Sequence, residues 1–292
     1  MSGVLRGYLR LMRPANLPTA AADIFAGVAI AGFVSGTSSW LPVTFLALAS
    51  VFLYGGGVVL NDVFDSDLDR IERPERPIPS GLIPLKSAAF FGSVLLLIGI
   101  LFALLVHLLS GIIALALAFL IVLYDAYSKK HGFWGPFNMG LCRGLNLILG
   151  MSVLGEIGNW QIAIIPLVYI FAITLISRGE VHGNNKKHII WAGALYALVI
   201  LSVVIVIVSK TEQFIQAIPF LILFTFLIFR PLIKAYQINS SENIRKAVIG
   251  GVLSLIVLDA TLAIGFSVWW YGLLVLLLLP MSLFLSKLFA VT

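Results

Sequence analysis

The segment LALASVFLYGGGVVLNDVFDSDLD, residues 46–69, changes within a few positions from uncharged and apolar to strongly acidic. Apolar stretches of about 20 residues are typical of helices that cross the hydrocarbon core of a membrane. The aspartates begin where such a helix would leave the hydrocarbon. The segment therefore predicts a membrane-spanning helix that ends in an acidic loop.

The rest of the chain has the same apolar character. Of its 292 residues, 60% are hydrophobic and 11% are charged, whereas soluble domains have about 25% charged residues. Runs such as Leu273–Leu279 are apolar on every side, and backbone inside a membrane must satisfy its own hydrogen bonds, so the spans should be helices. Ten stretches qualify: 17–36, 40–60, 87–107, 110–128, 136–154, 160–178, 188–208, 214–231, 246–266 and 268–289. We expect an all-α, polytopic transmembrane helical bundle of nine to ten spans, with residues 1–292 forming a single membrane domain.

The basic residues predict the orientation of this bundle. Seventeen of the 19 Lys and Arg residues fall in loops or ends that lie on one side of the ten spans. The positive-inside rule then places the N-terminus in the cytoplasm, in a cell inner membrane, and an even count favours ten spans over nine. Residues 1–16, with Arg6 and Arg10 beside Leu5 and Leu9, predict either an interfacial basic helix or a flexible tail. The net charge of +6 thus reflects membrane orientation, and no nucleic-acid partner is expected.

The acidic loop is the strongest candidate for a functional site. Asn61, Asp65 and Asp69 are spaced i, i+4 and i+8, so on a helix they share one face, which Asp62 flanks. Repelling carboxylates at a membrane surface are stabilised by a cation between them, and hard oxygen ligands suit Mg²⁺. A charge run is more often a solvated loop, but the preceding glycines, 55–57, favour a cavity because they let helices pack closely.

A rigid basic segment follows the acidic loop. Pro74, Pro77 and Pro79 restrict the backbone around Arg73 and Arg76. These guanidinium groups could meet either the acidic face or a phosphate. Acids for a metal and guanidinium groups for an oxyanion, side by side, suggest a diphosphate site.

These motifs resemble the UbiA superfamily of intramembrane prenyltransferases. The N-x-x-x-D-x-x-x-D pattern, with its Arg- and Pro-rich tail ending at Ser80-Gly81, is similar to the family's first motif, and Tyr124 with Lys129 resembles its Tyr-x-x-x-x-Lys element. The resemblance implies Mg²⁺-dependent transfer of a prenyl group from a polyprenyl diphosphate to an aromatic or other lipophilic acceptor, within membrane lipid. Asp65 and Asp69 would hold the metal, supported by Asn61 and Asp62. Lys129 would contact the diphosphate and Tyr124 the substrate.

The chain departs from the family after the sixth span. Where most members carry a second acidic motif, this sequence has Ser177, Glu180 and Asn184, so one carboxylate remains. This variant resembles the EboC-like branch, which implies a role in secondary-metabolite biosynthesis. We expect Glu180 to be the second catalytic and metal-binding acid, and Arg178 to bind diphosphate. A single essential Mg²⁺ is the hypothesis, and His182 is a candidate base or a plain polar residue.

Arg143 lies inside the predicted fifth span, where a charge costs several kcal/mol unless it is paired or faces water. It shares a helix face with Asn146. One interpretation makes Arg143 a diphosphate ligand and Asn146 a substrate contact. The other makes Arg143 the partner of Asp23, Asp125 or Asp259 in a structural ion pair.

Two other functions compete with prenyl transfer. The degraded second motif favours a carrier that binds a lipophilic metabolite and moves it across the membrane with little or no catalysis. A phosphotransferase acting on CDP-alcohols also uses clustered aspartates in the membrane, but the glycine, alanine and arginine context of that motif is missing after Asp65. Donor chain length and acceptor identity depend on the shape of the cavity, which these motifs do not specify.

Overall fold

The computed structural model describes residues 3–36, 39–180 and 183–289, and its regular structure is entirely helical. Thirteen α-helices and several short 3₁₀ turns are present in these ranges. The α-helices are α1 Gly3–Leu11, α2 Leu17–Ile30, α3 Leu41–Phe64, α4 Ser66–Glu72, α5 Leu85–Leu104, α6 Leu108–Ala126, α7 Trp134–Met151, α8 Ile164–Ser177, α9 Lys186–Lys210, α10 Phe214–Gln237, α11 Ser241–Phe266, α12 Trp269–Leu276 and α13 Leu278–Leu288. The predicted all-α class is confirmed.

Nine helical segments in the described part of the chain are long and apolar enough to cross a membrane, counting α12 and α13 together as Trp269–Leu288. The predicted first span is the exception. Helix α2 has 14 residues and is about 21 Å long, less than the hydrocarbon thickness of about 30 Å. It ends before Gly32, whose φ of 75° turns the chain. Nine to ten spans is therefore correct, and the first of the ten is shorter than the predicted 17–36.

Helix α2 lies at the centre of the bundle. It packs against α3, α7 and α11, and twelve of its 14 residues are buried. Its crossing with α7 requires glycine on both sides: a Cβ on Gly27 would lie 2.4 Å from the Leu147 carbonyl oxygen, and one on Gly150 would lie 2.5 Å from that of Ile24. Backbones this close bring side chains one or two turns away into direct contact.

Two apolar cores meet at this central pair. One is formed by α2 and α7 with α8 to α12, and the other by α2 and α7 with α3, α5 and α6. A smaller core packs α1 against α3 and α5. The three cores leave the polar side chains discussed below in two places, one at an end of the bundle and one in its interior.

The loops that carry most of the basic residues lie at the same end of the bundle. Arg13, which precedes α2, contacts Asp62 near the end of α3, and Lys129 contacts Asp65. Arg178 donates a hydrogen bond to the carbonyl of Gly132. Lys210 contacts Asn159 at the other end. This division is the one that the Lys and Arg count predicts, so the first acidic loop and its neighbours share one membrane face.

Candidate functional site

The acidic segment continues the helical register across the end of α3. Asp65 lies between α3 and α4; its N–H donates to the Asn61 carbonyl at 3.0 Å, and that of Asp69 donates to the Asp65 carbonyl at 2.8 Å. These i to i+4 bonds keep the three side chains on one face, as their spacing predicts.

Arginines hold two carboxylates at this end of the bundle. Asp62 Oδ1 lies 2.7 Å from Arg13 Nη2 and 3.3 Å from Arg76 Nη1. The same Arg76 nitrogen lies 2.7 Å from Asp69 Oδ2, and Arg73 Nη1 is 3.9 Å from Asp69. Asp62, Asp69 and Arg76 are all buried. The sequence allows Arg73 and Arg76 to meet either the acidic face or a phosphate. In the structure both arginines contact carboxylates of the acidic face.

A second group forms around Lys129, in the turn after α6. Its Nζ lies 2.6 Å from Asp65 Oδ1 and 3.9 Å from Asp125 Oδ1. The Asn61 amide donates to the same Asp125 oxygen at 2.8 Å, and the Phe64 ring lies 6.0 Å from the ammonium. Lys129 therefore bridges carboxylates from two helices that are far apart in sequence.

The oxygen atoms of these two groups are suitable ligands for a hard divalent cation. Asp62, Asp65, Asp69 and Asn61 supply carboxylate and amide oxygens, the ligands that Mg²⁺ prefers. Lys129 and Arg76 each lie between two carboxylates, so positive charge is already stabilised at two points. Among the described residues, no three acidic, His or Cys side chains converge closely enough to hold a metal as they stand. Metal binding at this face would thus require the basic side chains to move.

Two members of this site were not among the predicted site residues. Arg13 was considered only as part of the N-terminal segment, yet it directs its guanidinium to Asp62, from a backbone φ of 47° that is uncommon for a residue other than glycine. Asp125, which was not among the predicted metal ligands, is 2% exposed and contacts both Asn61 and Lys129. Its position after Tyr124 and four residues before Lys129 predicts a metal-shell acid or a partner of Lys129, or equally a helix cap, and the structure shows the contact to Lys129.

Tyr124 and Arg178 border the Lys129 group. Tyr124 is half-buried and directly precedes Asp125. The Arg178 guanidinium contacts the Gly132 carbonyl in the loop that follows Lys129. The structure therefore brings both predicted residues to the same end of the bundle as the acidic loop, although among the described residues neither contacts an acidic side chain.

Arg143 and Asn146 belong to a different place. Arg143 Nε lies 2.8 Å from Asp23 Oδ2, and its Nη2 is 3.6 Å from Asp259 Oδ2. The Asn146 amide donates to Asp23 at 2.7 Å and accepts from the Ser50 hydroxyl at 2.8 Å. Ser50 precedes Asn61 by eleven residues on α3, which is about 16 Å along a helix.

The assignments of Arg143 to diphosphate and of Asn146 to substrate are therefore corrected. The guanidinium contacts two buried carboxylates and donates to the Thr19 carbonyl, and it lies deep in the bundle rather than at the acidic loop. The alternative interpretation, an ion pair with Asp23 and Asp259, is the one observed.

The remnant of the second acidic motif lies close to the first. Ser177 donates its hydroxyl to the Thr174 carbonyl at 2.9 Å, and Asn184 adopts a left-handed φ of 59°. Glu180 is half-buried, and burial raises its pKa above the ordinary range, while the charges of Arg245 and Arg73 oppose the shift. Because Arg73 also faces Asp69, Glu180 adjoins the first loop. His182 lies outside the described residues.

Replacing Glu180 with Gln should change how stability depends on pH. An acid whose folded pKa is raised stabilises the fold while protonated, and this contribution is lost as pH rises through that pKa. We therefore expect E180Q to unfold at a higher temperature than the parent near neutral pH, and at the same temperature in mild acid. Thermal unfolding without added Mg²⁺ measures this. Glu242→Gln, at an exposed side chain, is the control for removing a carboxylate. Curves of unfolding temperature against pH that run parallel for E180Q and the parent would contradict the prediction.

A bundle of this topology, with an acidic helical face bounded by Lys and Arg at one end, defines a class of polytopic membrane proteins with a candidate phosphate and metal site. The sequence model of the UbiA prenyltransferase family matches residues 22–247. The chain belongs to the UbiA prenyltransferase family.

Two curated relatives are digeranylgeranylglyceryl phosphate synthases. A digeranylgeranylglyceryl phosphate synthase from Methanococcoides burtonii is 40% identical over 160 residues, which cover 53% of this chain and 57% of the relative. One from Sulfolobus acidocaldarius is 37% identical over 181 residues, covering 61% and 63%. The matched regions thus span less than two thirds of these relatives.

Solved structures share the fold over most of their length. A structure described as digeranylgeranylglyceryl phosphate synthase in membranes superposes with a TM-score of 0.67 at 23% identity, covering 91% of this chain and 99% of that one. A UbiA homolog from Archaeoglobus fulgidus, bound to GPP and Mg²⁺, gives a TM-score of 0.66 at 16% identity and covers 84% and 99%. At these identities the likeness shows the fold.

Proposed function

We propose that this protein is an Mg²⁺-dependent intramembrane prenyltransferase that moves a prenyl group from a polyprenyl diphosphate to a lipophilic acceptor. The observation that carries the proposal is the face formed by Asn61, Asp65 and Asp69, with Lys129 and Arg76 seated between its carboxylates. Family membership and the GPP- and Mg²⁺-bound relative support the same chemistry. The site would open to the cytoplasm at the inner membrane.

The basic residues would exchange partners when the donor binds. Asp65 and Asp69 are the proposed metal ligands, with Asn61 and Asp62 in support, and a bound Mg²⁺ would neutralise charge on the departing diphosphate. Lys129 and Arg76 would leave their carboxylates and donate hydrogen bonds to diphosphate oxygens. Such charge-assisted bonds strengthen as the C–O bond breaks and negative charge collects on the leaving group.

The glycine-rich, apolar surroundings would protect the prenyl cation from water. Phe64 lies beside Lys129, and α3 and α6 carry apolar side chains directly behind the acidic face. Arg73, Arg178 and Glu180 would complete the polar rim, and Tyr124 would contact the substrate. The proposed site thus places charge at the membrane surface and the isoprenoid chain within the bundle.

We further propose a glyceryl phosphate lipid as the acceptor. The relatives' name describes a glyceryl phosphate that carries two geranylgeranyl groups, so a hydroxyl of a singly prenylated glyceryl phosphate is the matching acceptor for this chain. This favours membrane-lipid synthesis over the secondary-metabolite role that the EboC-like resemblance implies.

The proposal is tested with the full chain in lipid vesicles. Labelled geranyl, farnesyl and geranylgeranyl diphosphates would be supplied with geranylgeranylglyceryl phosphate or with an aromatic acceptor. We expect Mg²⁺-dependent release of diphosphate and one prenylated product, formed with the glyceryl phosphate acceptor. Product formed only with the aromatic acceptor would overturn the lipid assignment, and an absence of transfer with every pair would overturn the enzyme.

The loop after α8 predicts how many Mg²⁺ ions the reaction requires. Because Glu180 is the one carboxylate in that loop, we expect the rate to depend on free Mg²⁺ through a single saturable binding step. Initial rates at fixed donor concentration over a wide range of Mg²⁺ measure this. A sigmoidal dependence that requires two ions in the parent protein would contradict it.

Lys129 should contribute far more to the rate of prenyl transfer than Lys130 does. Replacing Lys129 with Met removes the cation that contacts Asp65, and we expect kcat/KM for the donor to fall about 10²-fold, the scale of a lost electrostatic contact to a transition state. Lys130 is exposed, so Lys130→Met should leave the rate close to that of the parent. Equal losses in the two variants would show a general surface-charge effect instead.

A carrier remains the second candidate, and the loss of acids at Ser177 and Asn184 favours it. A carrier would bind the labelled donor without releasing diphosphate, and its binding would be insensitive to Asp65→Ala. Both measurements come from the same vesicles.

A further inference from the structure

A cluster of charged side chains lies in the interior of the bundle, apart from the proposed active site. Asp23 on α2 and Asp259 on α11 are 0% exposed, and Arg143 on α7 is 7% exposed. Arg143 contacts Asp23 at 2.8 Å and Asp259 at 3.6 Å. The three helices that meet here are the central packing unit of the fold, so the two carboxyl groups are shielded from bulk water.

The charges of this cluster do not balance. Two carboxylates face one guanidinium. The buried tyrosines of the helices around the cluster, Tyr169, Tyr196 and Tyr271, are neutral at ordinary pH and add no charge.

The basic groups on the neighbouring helices α10 and α13 lie too far along the bundle to compensate. Arg230 and Lys234 on α10 flank Pro231, which packs on Gly250. Gly250 precedes Asp259 by nine residues, about 14 Å along α11. Lys287 is in the last turn of α13, beyond Ser282, which contacts Ala15 at the loop end of α2. With both acids ionised, the interior would carry an uncompensated negative charge, which is costly in a membrane protein.

The hydrogen bonding of the carboxyl groups is also incomplete. Neither oxygen of Asp259, nor Oδ1 of Asp23, receives a hydrogen bond from any protein donor among the described residues. Both carboxyl groups nevertheless contact the same guanidinium, Asp23 at Nε and Asp259 at Nη2. Two ionised carboxylates in contact repel, whereas an acid and a carboxylate attract and share a hydrogen bond.

We propose that the cluster is a binding site for one proton, which resides on Asp259 and is donated in a hydrogen bond to Asp23. The bound proton makes the triad neutral, with Asp23 ionised and paired to Arg143. It would also engage two of the three buried carboxyl oxygens that the protein leaves without a donor. This inference is independent of the proposed transferase activity, because it uses no residue assigned to donor or metal binding.

A proton suits the site better than Na⁺. A metal ion of that kind needs several oxygen ligands, but the backbone oxygens nearby are already engaged. The Thr19 carbonyl accepts from Arg143, and the Ala20 carbonyl accepts from both Asn146 and Ser50. A proton needs only the two carboxyl groups.

Infrared spectroscopy of the full chain tests the proposal. A protonated carboxylic acid has a carbonyl stretch that is resolved from the amide and carboxylate bands. We expect this band in the parent protein near neutral pH and its loss in Asp259→Asn. The asparagine amide can still donate to Asp23, so the thermal unfolding midpoint should stay near that of the parent. Asp67→Asn, at a side chain that is 92% exposed, is the control and should retain the band.

A second variant supplies the same comparison independently. In Asp23→Asn the single remaining acid is expected to ionise and pair with Arg143, so the band should again be lost. Retention of the full band in both Asp23→Asn and Asp259→Asn would overturn the proposal. So would a missing band in the parent together with a rise in stability in sodium chloride relative to choline chloride, which would assign the site to Na⁺.

Discussion

Replacing Asp65 with Asn is expected to reduce Mg²⁺-dependent diphosphate release by about 10²–10³-fold, the loss typical of removing one preorganised electrostatic contact to a transition state. Asp65 is the carboxylate that pairs with Lys129, at 2.6 Å, and its side chain is 27% exposed, so a ligand can reach it. The substitution keeps size and hydrogen bonding but removes the charge that would hold the metal. Initial rates with labelled donor in vesicles measure the effect.

Asp67 provides the matched control for this experiment. It lies two residues from Asp65 on the opposite face of the same helical segment, with 92% of its side chain exposed and one pairing to Arg70 at 3.3 Å. Asp67→Asn changes the net charge of the loop by the same amount and should leave the rate near that of the parent. If the two variants lose activity equally, the loop acts through its overall charge and the proposed metal ligand is wrong.

The acidic face could be predicted from the sequence because its geometry is local. Asn61, Asp65 and Asp69 follow a helical spacing, and helical backbone bonds across the end of α3 maintain it. Lys129 was recognised because Tyr124 and Lys129, which follow an apolar span, resemble the Tyr-x-x-x-x-Lys element of the family. In both cases the residues that carry the interpretation lie within a few turns of one helix end.

The partners of these side chains could not be predicted in the same way. Arg13 and Asp62 are 49 residues apart, and Arg143 and Thr19 are 124 apart. Which of several buried acids would meet Arg143 depended on the crossing of α2 and α7, and that crossing depends on Gly27 and Gly150 lying back to back. The sequence contains those glycines but does not show which helices they bring together, so the choice among three acids stayed open.

Replacing Arg143 with Leu is expected to destabilise the fold by about 3–5 kcal/mol, because removing one partner of a buried ion pair leaves uncompensated charge. In the variant, Asp23 and Asp259 face each other without the guanidinium that contacts both. Thermal unfolding in nanodiscs should show a markedly lower midpoint. The KM for the prenyl diphosphate, measured well below that midpoint, should match the parent. Arg143 lies one helical turn from Asn146, whose partner Ser50 is about 16 Å along α3 from Asn61 in the acidic face.

A second substitution separates this structural role from ligand binding. Adding Asp23→Asn to Arg143→Leu removes one of the two buried acids that have lost their basic partner. The remaining Asp259 can stay neutral beside the new amide. The double variant should therefore regain part of the lost stability, a coupling expected only for residues that share one network. A diphosphate ligand would behave differently: Arg143→Leu would raise KM with little loss of stability, and Asp23→Asn would not rescue it. Because one side chain cannot satisfy both patterns, these two measurements decide whether the most buried arginine of the chain holds helices or substrate.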